Sequence, residues 1–139
     1  MKDRRRWIDP ALWTASWLLL GLVVLLSLVP ESPIEMRDGV DKLAHGFAYA
    51  ALTLSFLLAG VWRPVRGRGR YPMGAIWIVI AAVGIGVLIE IIQDIESYRS
   101  MDALDAVADA VGAAVGASLW MVIKVATRNS TYRSPSPSR

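Results

Sequence analysis

The chain has 139 residues, of which 55% are hydrophobic and 19% charged, with 15 lysines and arginines against 12 acids. This composition is too apolar for a water-soluble domain of this length and indicates an integral membrane protein. No cysteine is present, which excludes disulfides, cysteine-based zinc sites and cysteine nucleophiles.

Four apolar stretches follow one another along the chain, each about long enough to cross the hydrocarbon core as a helix. They cover residues 11–29, 43–62, 73–92 and 103–126. The first follows Asp9 and Pro10, a favourable N-cap and first-turn pair, and ends at Pro30. It is long and lacks a small-x-small cleavage site, so we interpret it as an uncleaved helix rather than a signal peptide. The predicted fold is therefore all-α, a polytopic bundle of four transmembrane helices.

The distribution of charge predicts the orientation of this bundle. Twelve of the 15 basic residues lie before the first helix, between the second and third, or after the fourth, whereas ten of the 12 acids lie in or beside the other two connections. Because cytoplasmic segments retain lysine and arginine, both termini are predicted to be cytoplasmic. The acid-rich ends of the helices then face the extracytoplasmic side.

The basic segments outside the helices carry no predicted chemistry. Residues 127–139 are polar and proline-containing, so we expect a disordered basic cytoplasmic tail after a membrane domain at 1–126. The arginine-rich connection at 63–70 is short and glycine-spaced, and attraction to anionic headgroups explains it without a nucleic-acid partner.

The segment EIIQDIESYRSMDALDAVADAVGAAVG, residues 90–116, holds half of the acids of the chain. At 100° per residue, Asp105, Asp109, Gly112 and Gly116 share one face of the fourth helix. Asp109 lies deep enough that lipid exposure would cost on the order of 1–3 kcal/mol, so we expect it to face protein or a wet cavity. The two glycines permit close helix contact, within one chain or between subunits.

The second and third helices have polar faces at the same predicted end. In DKLAHGFAYAAL, Asp41, His45 and Tyr49 recur at i, i+4 and i+8, and Lys42 is placed to reach the headgroups. A histidine that is merely hydrogen-bonded at the interface is an equally simple interpretation of His45. On the third helix, Glu90 and Gln93 share a face at i, i+3. Three helices therefore bring polar ends together.

These two segments together resemble the signatures of the VanZ-like family. Asp41, Lys42, His45 and Tyr49 match its Asp-Lys-x-x-His-x-x-x-Tyr motif at the same spacing. The second motif is matched by Glu90, Gln93, Arg99, Asp105, Gly112 and Gly116. Asp109 stands where the family usually has asparagine, and no proline precedes Arg99. The resemblance implies a multi-pass protein of the bacterial plasma membrane, in a family named for resistance to the glycopeptide teicoplanin.

Three functions follow as hypotheses. The first is an extracytoplasmic pocket that binds an anionic lipid or cell-wall precursor group and affects the envelope or glycopeptide susceptibility, with Arg99, Lys42 and protonated His45 holding the anion and the acids orienting them. The second is a structural or assembly subunit whose polar residues only fix helix packing. The third is an intramembrane enzyme with Glu90 or Asp105 as general base and His45 as acid, or with a divalent metal on His45 and carboxylates.

The first hypothesis is preferred over the structural one, and the enzyme ranks last because no nucleophile elbow, phosphate loop or metal-spaced pair favours it. Its predicted ligand-binding residues are Asp41, Lys42, His45, Tyr49, Glu90, Gln93, Arg99, Asp105 and Asp109. Gly112 and Gly116 are predicted packing positions. The catalytic residues of an enzyme are not identified, no metal site or cofactor is predicted, and membrane lipids are the expected partners.

Overall fold

The computed structural model describes residues 10–28, 39–60, 72–95 and 103–131, which form four α-helices. Their bounds are Pro10–Ser27 for α1, Val40–Ala59 for α2, Pro72–Ile95 for α3 and Ala103–Thr131 for α4. No strand occurs in these ranges. Each helix contains a stretch of 18–25 residues that is long and apolar enough to cross a membrane. The predicted all-α fold with four membrane-spanning helices is confirmed.

The helix ends differ from the predicted bounds in ways that matter for the site. α2 begins at Val40, so Asp41 and Lys42 lie in its first turn rather than before it. α4 continues to Thr131, five residues into the stretch predicted to be a disordered tail. The Thr127 hydroxyl donates to the Ile123 carbonyl at 2.9 Å, the bond to the carbonyl four residues earlier that threonine makes within a helix.

The backbones of α2 and α4 are in direct contact, and this pair is the centre of the bundle. A Cβ added at Gly112 would overlap the carbonyl oxygen of Gly46 and lie 2.9 Å from its Cα. A Cβ added at Gly116 would overlap the Ala50 carbonyl oxygen. The glycine pair of α4 therefore packs against α2 of the same chain, as small residues do where membrane helices approach closely.

All four helices contribute to a small apolar core beside this contact. Val23, Tyr49, Ala82 and Ala113, one from each helix, pack together and are at most 8% exposed. Further along the bundle, a second layer joins α2, α3 and α4 through Leu57, Ala75, Ile78 and Ala117. These layers lie between the polar residues at one end of the bundle and aromatic residues at the other.

Large apolar side chains cover the outside of the bundle. Leu18 is 70% exposed, Phe47 74% and Ile95 73%, and each helix presents such residues. A water-soluble protein rarely exposes so much contiguous apolar surface, whereas lipid tails solvate it without cost. At the end of the bundle that is predicted to be cytoplasmic, Trp13 and Trp17 of α1 pack edge-to-face on Phe56 of α2, with ring centroids 6.2 and 5.5 Å away.

Candidate functional site

Eight of the nine predicted ligand-binding residues lie together at one end of the bundle, and we call them the polar cluster. They come from the first half of α2, the last turns of α3 and the first half of α4. Consecutive helices run in opposite directions, so these three ends meet. The members are Asp41, Lys42, His45, Tyr49, Glu90, Gln93, Asp105 and Asp109. The ninth predicted residue, Arg99, lies outside the described ranges.

The polar cluster is largely buried. Glu90, Gln93, Asp105 and Asp109 are each 1–2% exposed. Buried carboxylates are tolerated in a membrane protein only where they are paired or face a polar interior. The expectation that Asp109 faces protein rather than lipid therefore agrees with its position between the helices.

The periodicity of α2 and α4 explains why their polar residues face one another. Residues separated by three or four positions share a helix face, so the glycines that bring α4 onto α2 also direct Asp105 and Asp109 toward α2. On α2, Lys42, His45 and Gly46 lie on the face that receives them. Close backbone packing and polar pairing are thus properties of the same interface.

Lys42 and Asp105 form an ion pair across this interface. The distance from Nζ to Oδ1 is 3.4 Å, and the lysine side chain is 32% exposed whereas the aspartate side chain is 3% exposed. The carboxylate is therefore the inner partner and the ammonium the outer one. This geometry holds a long, flexible side chain at the rim of the bundle.

His45 and Asp109 form a second, deeper pair. Nδ1 of His45 lies 3.0 Å from Oδ1 of Asp109, and Nε2 lies 4.0 Å from Oδ1 of Asp41. The buried carboxylate accepts, so Nδ1 carries the proton and Nε2 faces Asp41. The imidazole is thereby fixed between an inner and an outer carboxylate.

Gly86 of α3 packs against the inner side of the polar cluster, and the sequence analysis did not identify it. A Cβ at this position would overlap Oδ2 of Asp109 and lie 3.2 Å from the Tyr49 hydroxyl. The carboxyl groups of Asp109 and of Glu90, which lies four residues after Gly86 on α3, both interact electrostatically with the Tyr49 hydroxyl. The available signal was that Gly86 shares a helix face with Glu90 at i, i+4.

Gln93 links the cluster to the first helix. Its Nε2 donates to the backbone carbonyl of Ser27 at 2.6 Å. Ser27 is the last residue of α1, where helix carbonyls lack partners within the helix. Gln93 therefore supplies a donor to a carbonyl at the C-terminus of α1, a role that its spacing to Glu90 did not predict.

Thr53 is a second feature that the sequence did not indicate. Within the described ranges, its hydroxyl is the buried side-chain polar group that has no hydrogen-bond partner, and the residue is 0% exposed. It lies deeper than the polar cluster, and its Cβ is 3.1 Å from a Cβ built at Gly116.

Three side chains of the cluster bring possible metal-ligand atoms together. One atom from each of Asp41, His45 and Asp105 lies within 4.8 Å of the other two. Two ligands come from one turn of α2 and the third from α4. Spacing along the chain could not show this combination, because the third ligand is contributed by a different helix.

Comparison with known protein families gives one assignment. The family described as VanZ/LLP1 matches residues 7–124, a range that includes all of α1, α2 and α3 and most of α4. The comparisons with curated proteins and with solved structures gave no match. The match includes the whole polar cluster and the glycine contact beneath it. This multi-pass membrane protein therefore belongs to the VanZ/LLP1 family.

Proposed function

We propose that this protein binds an anionic headgroup, from a lipid or a cell-wall precursor, at the polar cluster on the extracytoplasmic face of the bacterial plasma membrane. By retaining such a group it would affect the envelope and susceptibility to glycopeptides such as teicoplanin. The observation that carries the proposal is the relative depth of the basic and acidic side chains in the polar cluster. In both cross-helix pairs the basic side chain is the more exposed partner.

The greater exposure of the bases explains how a cluster that is rich in acids can bind an anionic ligand. Asp105 and Asp109 are 3% and 2% exposed at their side chains, whereas Lys42 and His45 are 32% and 13% exposed. A ligand that approaches from the headgroup region meets the bases first. The acids behind them hold the bases in place by charge-assisted hydrogen bonds, which are stronger than neutral ones.

The depth of Lys42 supports a headgroup rather than an acyl chain as the bound moiety. Lys42 is in the first turn of α2, at the end of a helix that spans the membrane. Headgroup regions extend roughly 5–8 Å beyond the hydrocarbon core on each side. An ammonium at this level is a compact point charge suited to a phosphate oxygen.

The proposal is tested by lipid binding to the purified protein. We expect vesicles with phosphatidylglycerol or a polyprenyl diphosphate to bind more tightly than phosphatidylcholine vesicles, and the two anionic arms identify the source of the headgroup. Lys42→Met should weaken this binding about tenfold or more, since a hydrogen bond to a charged group contributes roughly 1.5–3 kcal/mol. The matched control is Lys124→Met, because Lys124 lies over the Trp120 ring at the opposite end of the bundle.

Asp105→Asn separates binding from scaffolding. It removes the charge that orients Lys42 while keeping the shape, so we expect binding and any teicoplanin phenotype to fall while membrane abundance is retained. Equal anionic-lipid binding by the Lys42 and Lys124 variants would contradict the proposal. If Asp105→Asn then also matched wild type in binding and phenotype, the structural-subunit hypothesis would be preferred.

A further inference from the structure

The outer half of the polar cluster has the donor atoms and spacing of a cation site. One atom from each of Asp41, His45 and Asp105 lies within 4.8 Å of the other two. Ligands at about 2.0–2.6 Å from one divalent cation are separated by at most roughly 4–5 Å when they lie on opposite sides of it. The three atoms therefore fit around a single ion, and we propose that they form a divalent-cation site.

The orientation of His45 is the second argument for this site. Its Nδ1 lies 3.0 Å from Oδ1 of Asp109 and donates to it, and its Nε2 lies 4.0 Å from Oδ1 of Asp41, so a cation that binds Nε2 displaces the second proton of the imidazole. Asp109 is not among the three ligands, and its other oxygen packs on Gly86 of α3. An imidazole held through one nitrogen by a buried carboxylate, with the other nitrogen presented outward, is the arrangement of metal-binding histidines.

The donor set indicates which cations would bind. One imidazole nitrogen and two carboxylates suit borderline and hard divalent ions such as Zn²⁺ and Mn²⁺, whereas Ca²⁺ requires six to eight oxygen ligands. Lys42 contacts Asp105 at 3.4 Å and so competes with the ion for one ligand. Binding of the cation therefore turns the ammonium outward, away from Asp105.

The cation would also serve the proposed headgroup binding. Three protein ligands leave coordination positions on the exposed side of the ion, where a phosphate oxygen can enter. This bridging role rests on the proposed function, whereas the cation site itself does not. A bound divalent ion would also offset the carboxylate charge that faces an anionic headgroup.

The test is a titration of the purified protein with Mn²⁺ in detergent without added lipid, followed by the electron paramagnetic resonance signal of free Mn²⁺. We expect one saturable ion per chain. Asp41→Asn and His45→Asn should each weaken it at least tenfold, and the asparagine at 45 still donates an amide hydrogen to Asp109. The matched control is Asp94→Asn, an exposed acid in the last turns of α3. Lys42→Met should tighten Mn²⁺ binding, because the competing ammonium is removed.

The outcomes separate the two proposals. Saturable Mn²⁺ binding that is lost in the Asp41 and His45 variants supports the site, whatever the lipid assay shows. No saturable binding to the wild type, or equal binding by the Asp41 and Asp94 variants, overturns it, even if Lys42-dependent lipid binding is found. Circular dichroism and size-exclusion profiles of each variant show that a loss of Mn²⁺ is not a loss of fold.

Discussion

Substitution of Gly112 by alanine tests the contact on which the polar cluster depends. The added Cβ would overlap the Gly46 carbonyl oxygen and lie 2.9 Å from the Gly46 Cα, where ordinary contacts begin near 3.4 Å. These neighbours are backbone atoms and cannot rotate away, so α2 and α4 must separate by roughly 0.5–1 Å or strain locally. Overpacking of this kind costs about 1–3 kcal/mol.

The same displacement would reach the functional residues. Gly112 lies three residues beyond Asp109 on one helix face. If the helices separate by about 1 Å, the 3.0 Å contact between His45 and Asp109 lengthens beyond hydrogen-bonding range. Gly112→Ala should therefore lower both stability and headgroup binding, and the larger Gly112→Leu should impair folding and membrane abundance.

Gly84→Ala provides the control for this experiment. Nothing lies within 4 Å of a Cβ at Gly84, and both substitutions carry the same gain in helix propensity of about 1 kcal/mol. Their difference in unfolding free energy then isolates the steric cost. Thermal unfolding in detergent, followed by circular dichroism, should place the melting temperature of the Gly112 variant lower by roughly 3–5 °C for each kcal/mol of destabilisation. Equal melting temperatures for the two variants would refute the backbone contact between α2 and α4.

Three further predictions concern the deepest acid, the inner side of the cluster and the orientation. Asp109→Asn should fold and keep the phenotype, since an amide oxygen still accepts a hydrogen bond from the imidazole. Asp109→Leu removes that acceptor and should lower membrane abundance. If the asparagine variant is abundant but inactive, the charge of Asp109 is required. Gly86→Ala should displace the Asp109 carboxylate and reduce ligand binding with a smaller loss of stability than Gly112→Ala, measured by the same lipid and melting assays. Cysteines at Ser32 and Ser97 should react with an impermeant thiol reagent in intact cells while one at Gly67 does not, and labelling at Gly67 without lysis would reverse the predicted orientation.

The sequence was most informative where the physical cause is local. Hydrophobic length predicts each membrane helix because a span needs a fixed number of apolar residues, whatever its neighbours are. Helical period likewise places Asp105, Asp109, Gly112 and Gly116 on one face before any partner is known. The resemblance on Asp41, Lys42, His45 and Tyr49 led to the same family that the comparison over residues 7–124 shows.

Tertiary structure decided which of these faces meet, because the rotation of each helix about its axis depends on packing with its neighbours rather than on its own residues. Only the assembled bundle pairs Lys42 with Asp105 and His45 with Asp109, at 3.4 and 3.0 Å. The role of Gly86 was hidden for the same reason. Gly86 is required because the Asp109 carboxylate of another helix lies against it, and spacing along one helix does not predict a contact between two helices.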